Sequence, residues 1–182
     1  MAYSVPLTAV SNASLTAAQW NASVRDNMLE TPAAKFTAAG QLFVSTGPNA
    51  GAVRTIAAGR TTGGAQGITG TAFGDLTTVG PTLSNVVTGT SCLVIVTAFV
   101  SNNTAGQGGY MGYTISGATA RAASVDRTLR IMATNAGERY RASSVNWETG
   151  LNPGTHTFQA KYASVNTGTA DFDERELAVI PL

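Results

Sequence analysis

From Asp75 to the end of this 182-residue chain, short runs of β-forming residues alternate with turn signals, and that rhythm constrains the fold more than any other feature. The runs predict strands at 75–79, 82–88, 91–102, 110–116, 127–133, 138–147, 155–165 and 170–180. Between them lie Gly89-Thr90, Ala105-Gly106-Gln107-Gly108-Gly109, Asn135-Ala136-Gly137, Asn152-Pro153-Gly154 and Asn166-Thr167-Gly168, residue types that supply turns. About eight short strands at this spacing fit an antiparallel β-sandwich of jelly-roll type.

Alternation assigns faces to these strands. His156, Phe158, Ala160 and Tyr162 share one side of their run, and Thr157, Gln159 and Lys161 share the other. The run Ser91 to Asn102 is apolar on both sides, which predicts a central strand covered twice. One sandwich normally leaves a sheet face wet, so that strand points to an oligomer. The apolar end Leu177, Val179 and Ile180 is the expected oligomer interface.

The N-terminal third follows different rules. Residues 1–13 show no periodicity and predict an extended arm. Thr16 and Gln19 fit a capping box, with Leu15 and Trp20 placed as a hydrophobic staple, and Pro32 closes the helix. Trp20, Val24 and Met28 recur at i, i+4 and i+8, a narrow apolar stripe too small to make a core. Leu15, Trp20, Val24 and Met28 are therefore the expected anchor to a partner. Gln41–Ser45 and Ala52–Ile56 flank turn residues and read as a β-hairpin. The Gly/Thr-rich stretch that follows carries six glycines between Gly59 and Gly74 and reads as a flexible connector. The expected organisation is an anchoring region at 1–57, a linker at 58–74 and the sandwich at 75–182.

Chemistry is sparsely represented. Only 12% of residues are charged, the net charge is +1 and the signs are scattered, so no nucleic-acid partner is expected. No apolar run approaches the ~20 residues of a membrane span, and Met1 to Pro6 lack the character of a secretory leader, which predicts a chain kept in a cytoplasm until assembly. Cys92 and His156 are solitary, which removes disulfides, Cys clusters, multi-His metal sites and Ser-His triads. The Gly63–Gly70 stretch lacks the Lys of a phosphate loop. Asp171, Asp173, Glu174 and Glu176 are the remaining candidates for paired-carboxylate hydrolysis or Ca²⁺. Strand alternation places Asp171, Asp173 and Arg175 on one side, and Arg175 is expected to neutralise its neighbours. No catalytic, cofactor or metal residues are assigned.

The wording from Leu15 to Ala50, "LTAAQWNASVRDN-LET-PAAK-TAAGQLFVSTGPNA", resembles the N-terminal region of small virion structural proteins of tailed actinobacteriophages. The likeness continues through Asp75-Leu76-Thr77-Thr78-Val79-Gly80-Pro81, Thr88-Gly89-Thr90-Ser91, Gly150-Leu151-Asn152-Pro153-Gly154 and Leu177 to Leu182, and is weakest from Gly59 to Ala72. Such proteins are of head-decoration, minor capsid or minor tail type, and the likeness implies a non-enzymatic protein located in the virion; the short chain and its anchor-like N-terminal quarter favour a head-decoration component bound to the major capsid protein or another virion protein. It also implies self-association, with a trimer favoured by analogy to jelly rolls in phage particles. Two other functions fit the same fold: a tail-associated module gripping a host glycan through Tyr110, Tyr113 or Trp147, and a small carbohydrate-active enzyme.

Overall fold

The computed structural model describes Thr8 and residues 14–182, so apart from Thr8 the expected arm over residues 1–13 lies outside the described residues. The chain divides into two compact units, Met1–Thr55 and Ile56–Leu182.

In the first unit the capping box is formed. The Gln19 amide donates to Thr16 Oγ1 at 3.2 Å and the Thr16 amide to Gln19 Oε1 at 3.0 Å, satisfying donors that a helix start leaves open. The helix is broken in character: α1 (Ala17–Trp20) passes through a π turn (Asn21–Arg25) into α2 (Asp26–Met28). The π turn inserts a residue, so the stripe does not keep simple α-helical phasing. Pro32 opens a second short helix, α3 (Pro32–Lys35), instead of closing the first. A proline at the first helical position loses no hydrogen bond, which is why it is accepted there. β1 (Gln41–Gly47) and β2 (Ala50–Thr55) then pair antiparallel as the expected hairpin.

The second unit contains β3 (Ala57–Thr61), β4 (Gln66–Ile68), β5 (Thr82–Thr88), β6 (Ser91–Asn102), β7 (Gly108–Gly117), β8 (Leu129–Met132), β9 (Arg139–Thr149), β10 (Gly154–Ser164) and β11 (Ala170–Pro181). One sheet has the order β5-β10-β7-β8, the other β3-β11-β6-β9, with β4 continuing the β3 edge along β11. The pairs β3·β11, β5·β10, β6·β9 and β7·β8 are nested one inside the next, the order of a jelly roll.

Two sequence expectations fail here. Residues 58–74 are not a linker, because β3 supplies the first strand of the jelly roll and β4 extends that edge. Residues 75–79 are not a strand; they loop between Gly74 and Pro81, which both bond to β10, with Leu76 buried and Asp75 held by Lys161 at 2.7 Å. The glycines of the 58–74 stretch serve close packing. A Cβ on Gly59 would lie 3.0 Å from Leu83 Cδ2, and one on Gly67 would collide with Thr169 and approach Asp171 Oδ1 to 2.6 Å.

The core lies between the two sheets. Val94, Val96, Ala98 and Val100 of β6 and Phe172, Leu177 and Val179 of β11 face Met111, Tyr113 and Ile115 of β7 and Phe158, Ala160 and Tyr162 of β10. Tyr162 and Phe172 join the layers with ring centroids 4.9 Å apart. His156, Phe158, Ala160 and Tyr162 are all buried, as alternation predicts.

A jelly roll that includes β3 makes a direct prediction. A fragment of residues 56–182 should unfold in one cooperative urea transition, whereas residues 75–182, lacking the β3/β4 edge, should be less stable by at least about 2 kcal/mol, the scale of unburying one large aliphatic side chain. Equal stability of the two fragments would refute the placement of β3 in the fold.

Candidate functional site

The expected anchor lies on the first unit. Leu15, Trp20 and Met28 are exposed, Trp20 at 56% and Met28 at 64%, and Val24 is half-buried. Leu29, which the spacing argument did not select, is exposed beside them at the end of the helix. The stripe therefore presents Trp and Met side chains to solvent, a costly arrangement for a helix without a partner.

On the second unit the outer face of the β3-β11-β6-β9 sheet has two distinct halves. Cross-strand register sets Trp147, Leu93 and Ile180 in one row and Val145, Ile95, Ala178 and Ala58 in the next, with no charge among them. Val145 is 62% and Trp147 59% exposed; Leu93, Ile95 and Ile180 are half-buried. In the next row Thr97 Oγ1 and Ser143 Oγ share a hydrogen bond of 2.7 Å beside Glu176 and Arg60, and from that row on the face is charged. Arg139 pairs with Asp173, Arg141 with Glu176 at 3.0 Å, and Arg60 with Glu174 and Glu176. The Arg139 guanidinium also sits over the Phe99 ring, 4.5 Å from its centroid.

These pairs correct the expected role of Arg175. A β-bulge between Asp173 and Glu176, with Glu174 in the left-handed region at φ 49°, shifts the alternation of β11 by one. Arg175 consequently points into the core, donating from Nη1 to the Thr78 carbonyl at 3.1 Å and lying over the Tyr162 ring. The carboxylates at 173, 174 and 176 are matched by arginines of β3 and β9 instead. Asp171 lies beside Gly67. Among the described residues no group of three or more His, Cys, Asp or Glu is placed to hold a metal ion.

The expected oligomer residues separate in the same way. Leu177 and Val179 are buried in the chain's own core and cannot meet another copy, while Ile180, on the opposite side of β11, lies on the outer face. The aromatic candidates also divide, since Tyr113 is buried, Tyr110 is half-buried between Phe73 and Arg130, and Trp147 alone of the three is open.

One polar cluster was not anticipated from sequence. Glu148, on the inward side of β9 and fully buried, accepts from Tyr113 Oη at 2.6 Å, Arg121 Nη1 at 2.6 Å and Arg127 Nη1 at 3.1 Å. Arg121 also donates to the Gly150 carbonyl at 3.1 Å, so the β7–β8 connection is fastened to the end of β9. Burial pushes the Glu148 carboxyl upward, but the Tyr113 and arginine hydrogen bonds outweigh it and hold the group below its ordinary value. Desolvation, with Glu148 nearby, pushes the Cys92 thiol up to about 12, which makes it an inert packing group. His156 is likewise buried, its Nδ1 3.1 Å from the Gly154 carbonyl and 3.2 Å from Thr88 Oγ1.

No protein-family model matches the chain, and no curated protein matches it significantly. Among solved structures it is similar to the VP2 subviral particle of infectious bursal disease virus, with a TM-score of 0.41 and 11% identity over 75% of this chain, which spans 36% of that one. It is also similar to a family 35 carbohydrate-binding module from Clostridium thermocellum, with a TM-score of 0.31 and 18% identity over 70% of this chain and 91% of that one. A module of Cellvibrio mixtus lichenase 5A in complex with cellotriose matches with a TM-score of 0.33 and 16% identity over 81% and 92% of the two chains. No residue takes a role from these likenesses.

The Glu148 cluster predicts a defined pH response. Because the folded carboxyl titrates below the unfolded one, its contribution to stability is complete above the ordinary carboxyl value of ~4.3 and is lost as pH falls through the folded value. Glu148→Gln strands two arginines and should cost about 3–5 kcal/mol at neutral pH, with that acid-dependent loss removed. Urea unfolding of both proteins from neutral to acid pH checks this; an unchanged acid limb in the variant would contradict it.

Proposed function

We propose that this chain is a non-enzymatic structural protein of a tailed-phage virion, a decoration or cement protein that binds the head lattice through its first unit and carries the jelly roll on the particle. The observation that carries the reading is the solvent-facing stripe of Leu15, Trp20 and Met28 on the first unit, while the second unit, a jelly roll, has a core of its own. The resemblance of residues 15–50 to virion structural proteins supports the same assignment for that unit. A cement protein works by mass action: whatever binds the assembled lattice better than its loosened form stabilises the lattice, and no reacting group is required. The carboxylates that would have served a glycosidase, Asp173, Glu174 and Glu176, are held by Arg139, Arg60 and Arg141, an arrangement suited to a rigid face.

The partner is the major capsid protein or a neighbouring virion protein, and the contact is apolar at its centre. Tryptophan is the side chain most often found to dominate such contacts, so Trp20→Ala should weaken particle binding by ~2 kcal/mol, roughly thirtyfold. Deletion of residues 1–55 should leave a folded jelly roll that no longer joins particles, scored by mass spectrometry of separated heads and tails. Normal incorporation of the truncated protein into heads, or its recovery only in tails, would overturn the decoration reading.

A further inference from the structure

The uncharged half of the outer sheet face has no role in the reading above. We propose that it is the surface through which two copies of this chain pair, sheet against sheet, about a two-fold axis. The inference stands on the geometry of that face and does not depend on the virion assignment.

Charge supports a like partner. The arginines at 60, 139 and 141 are already matched by Asp173, Glu174 and Glu176 of the same face, so a strongly charged partner finds little to complement. A second copy brings an equally uncharged half to the centre and a band of both signs to the rim, which is the anatomy of a protein interface.

Area supports it as well. Trp147 and Val145 at their observed exposure, with the open parts of Leu93, Ile95 and Ile180, offer roughly 400 Å² per copy, about half of the ~800 Å² each partner gives to a stable interface. The bordering Ala58, Ala178 and Ser143 and the charged rim extend the contact toward that size. Contiguous apolar patches of ~300–600 Å² on a monomer surface are often functional. Stacked sheets pack with aligned strands, and a contact between identical faces closes at two copies. The association is therefore a pair, in place of the trimer that fold analogy implies.

Sedimentation equilibrium of the full-length chain tests this. The parent protein should self-associate to a dimer at micromolar concentration. Val145→Lys and Trp147→Lys, both at water-facing positions of β9, should each weaken the pair at least about tenfold, as expected for central interface residues, while the circular dichroism spectrum stays unchanged. Should a lysine variant misfold, Trp147 emission in a Trp20→Phe background reports the same contact, shifting to the blue as protein concentration rises. A parent that remains monomeric, association that survives both lysine substitutions, or Trp147 emission that responds to soluble oligosaccharides but not to protein concentration would each overturn the proposal, the last in favour of a glycan occupant.

Discussion

The structure depends first on the inward row of β6. Cys92, Val94, Val96, Ala98 and Val100 are completely buried, and the same strand hydrogen-bonds to β11 on one side and β9 on the other for nearly its whole length. Neither neighbour is close in sequence, so this centre forms only when the chain has closed long loops, and the cost of closure is offset by apolar burial. Once β6 lies between β9 and β11, the nested order leaves β10 to sit between β5 and β7, and β3 to complete the free edge of β11.

The outward row of β6 carries the consequence. Leu93, Ile95 and Phe99 alternate with the core residues, and each is treated differently by its neighbours. Phe99 is covered by the guanidiniums of Arg139 and Arg141, whereas Leu93 and Ile95 sit between Trp147, Val145 and Ile180. The bulge at Glu174 assists the division, because the one-residue shift sends Arg175 inside and leaves Glu176 beside Arg141. On this sheet face the charges thus gather into one band and leave the rest apolar.

Much of this was legible in the sequence because the relevant signals are local. Seven strands from β5 to β11, their turns and the buried side of β10 follow from alternation and turn chemistry, and the capping box from two residues three apart. What stayed hidden was non-local. Gly59 of β3 and Gly67 of β4 pack against Leu83 and Thr169, and a glycine selected for close approach looks the same in sequence as one selected for flexibility. The bulge that reverses Arg175 has no sequence mark, so simple alternation put that residue on the wrong side. Glu148 carried no local signal, because the opposite side of β9 holds the apolar Val145 and Trp147 and alternation alone would turn the carboxylate outward. Only the fold shows that Arg121 and Arg127 meet it.

Native-state hydrogen exchange of the full-length chain tests the central claim most directly, because amides that open only when the whole body unfolds report a common free energy. A jelly roll closed around β6 predicts that amides of β6, β11 and the β3 residues 57–61 bonded to β11 exchange at the slow limit with one shared opening energy. Rapid exchange across 57–61 while β6 stays protected would contradict it, returning that segment to a connector and leaving the edge of β11 bare.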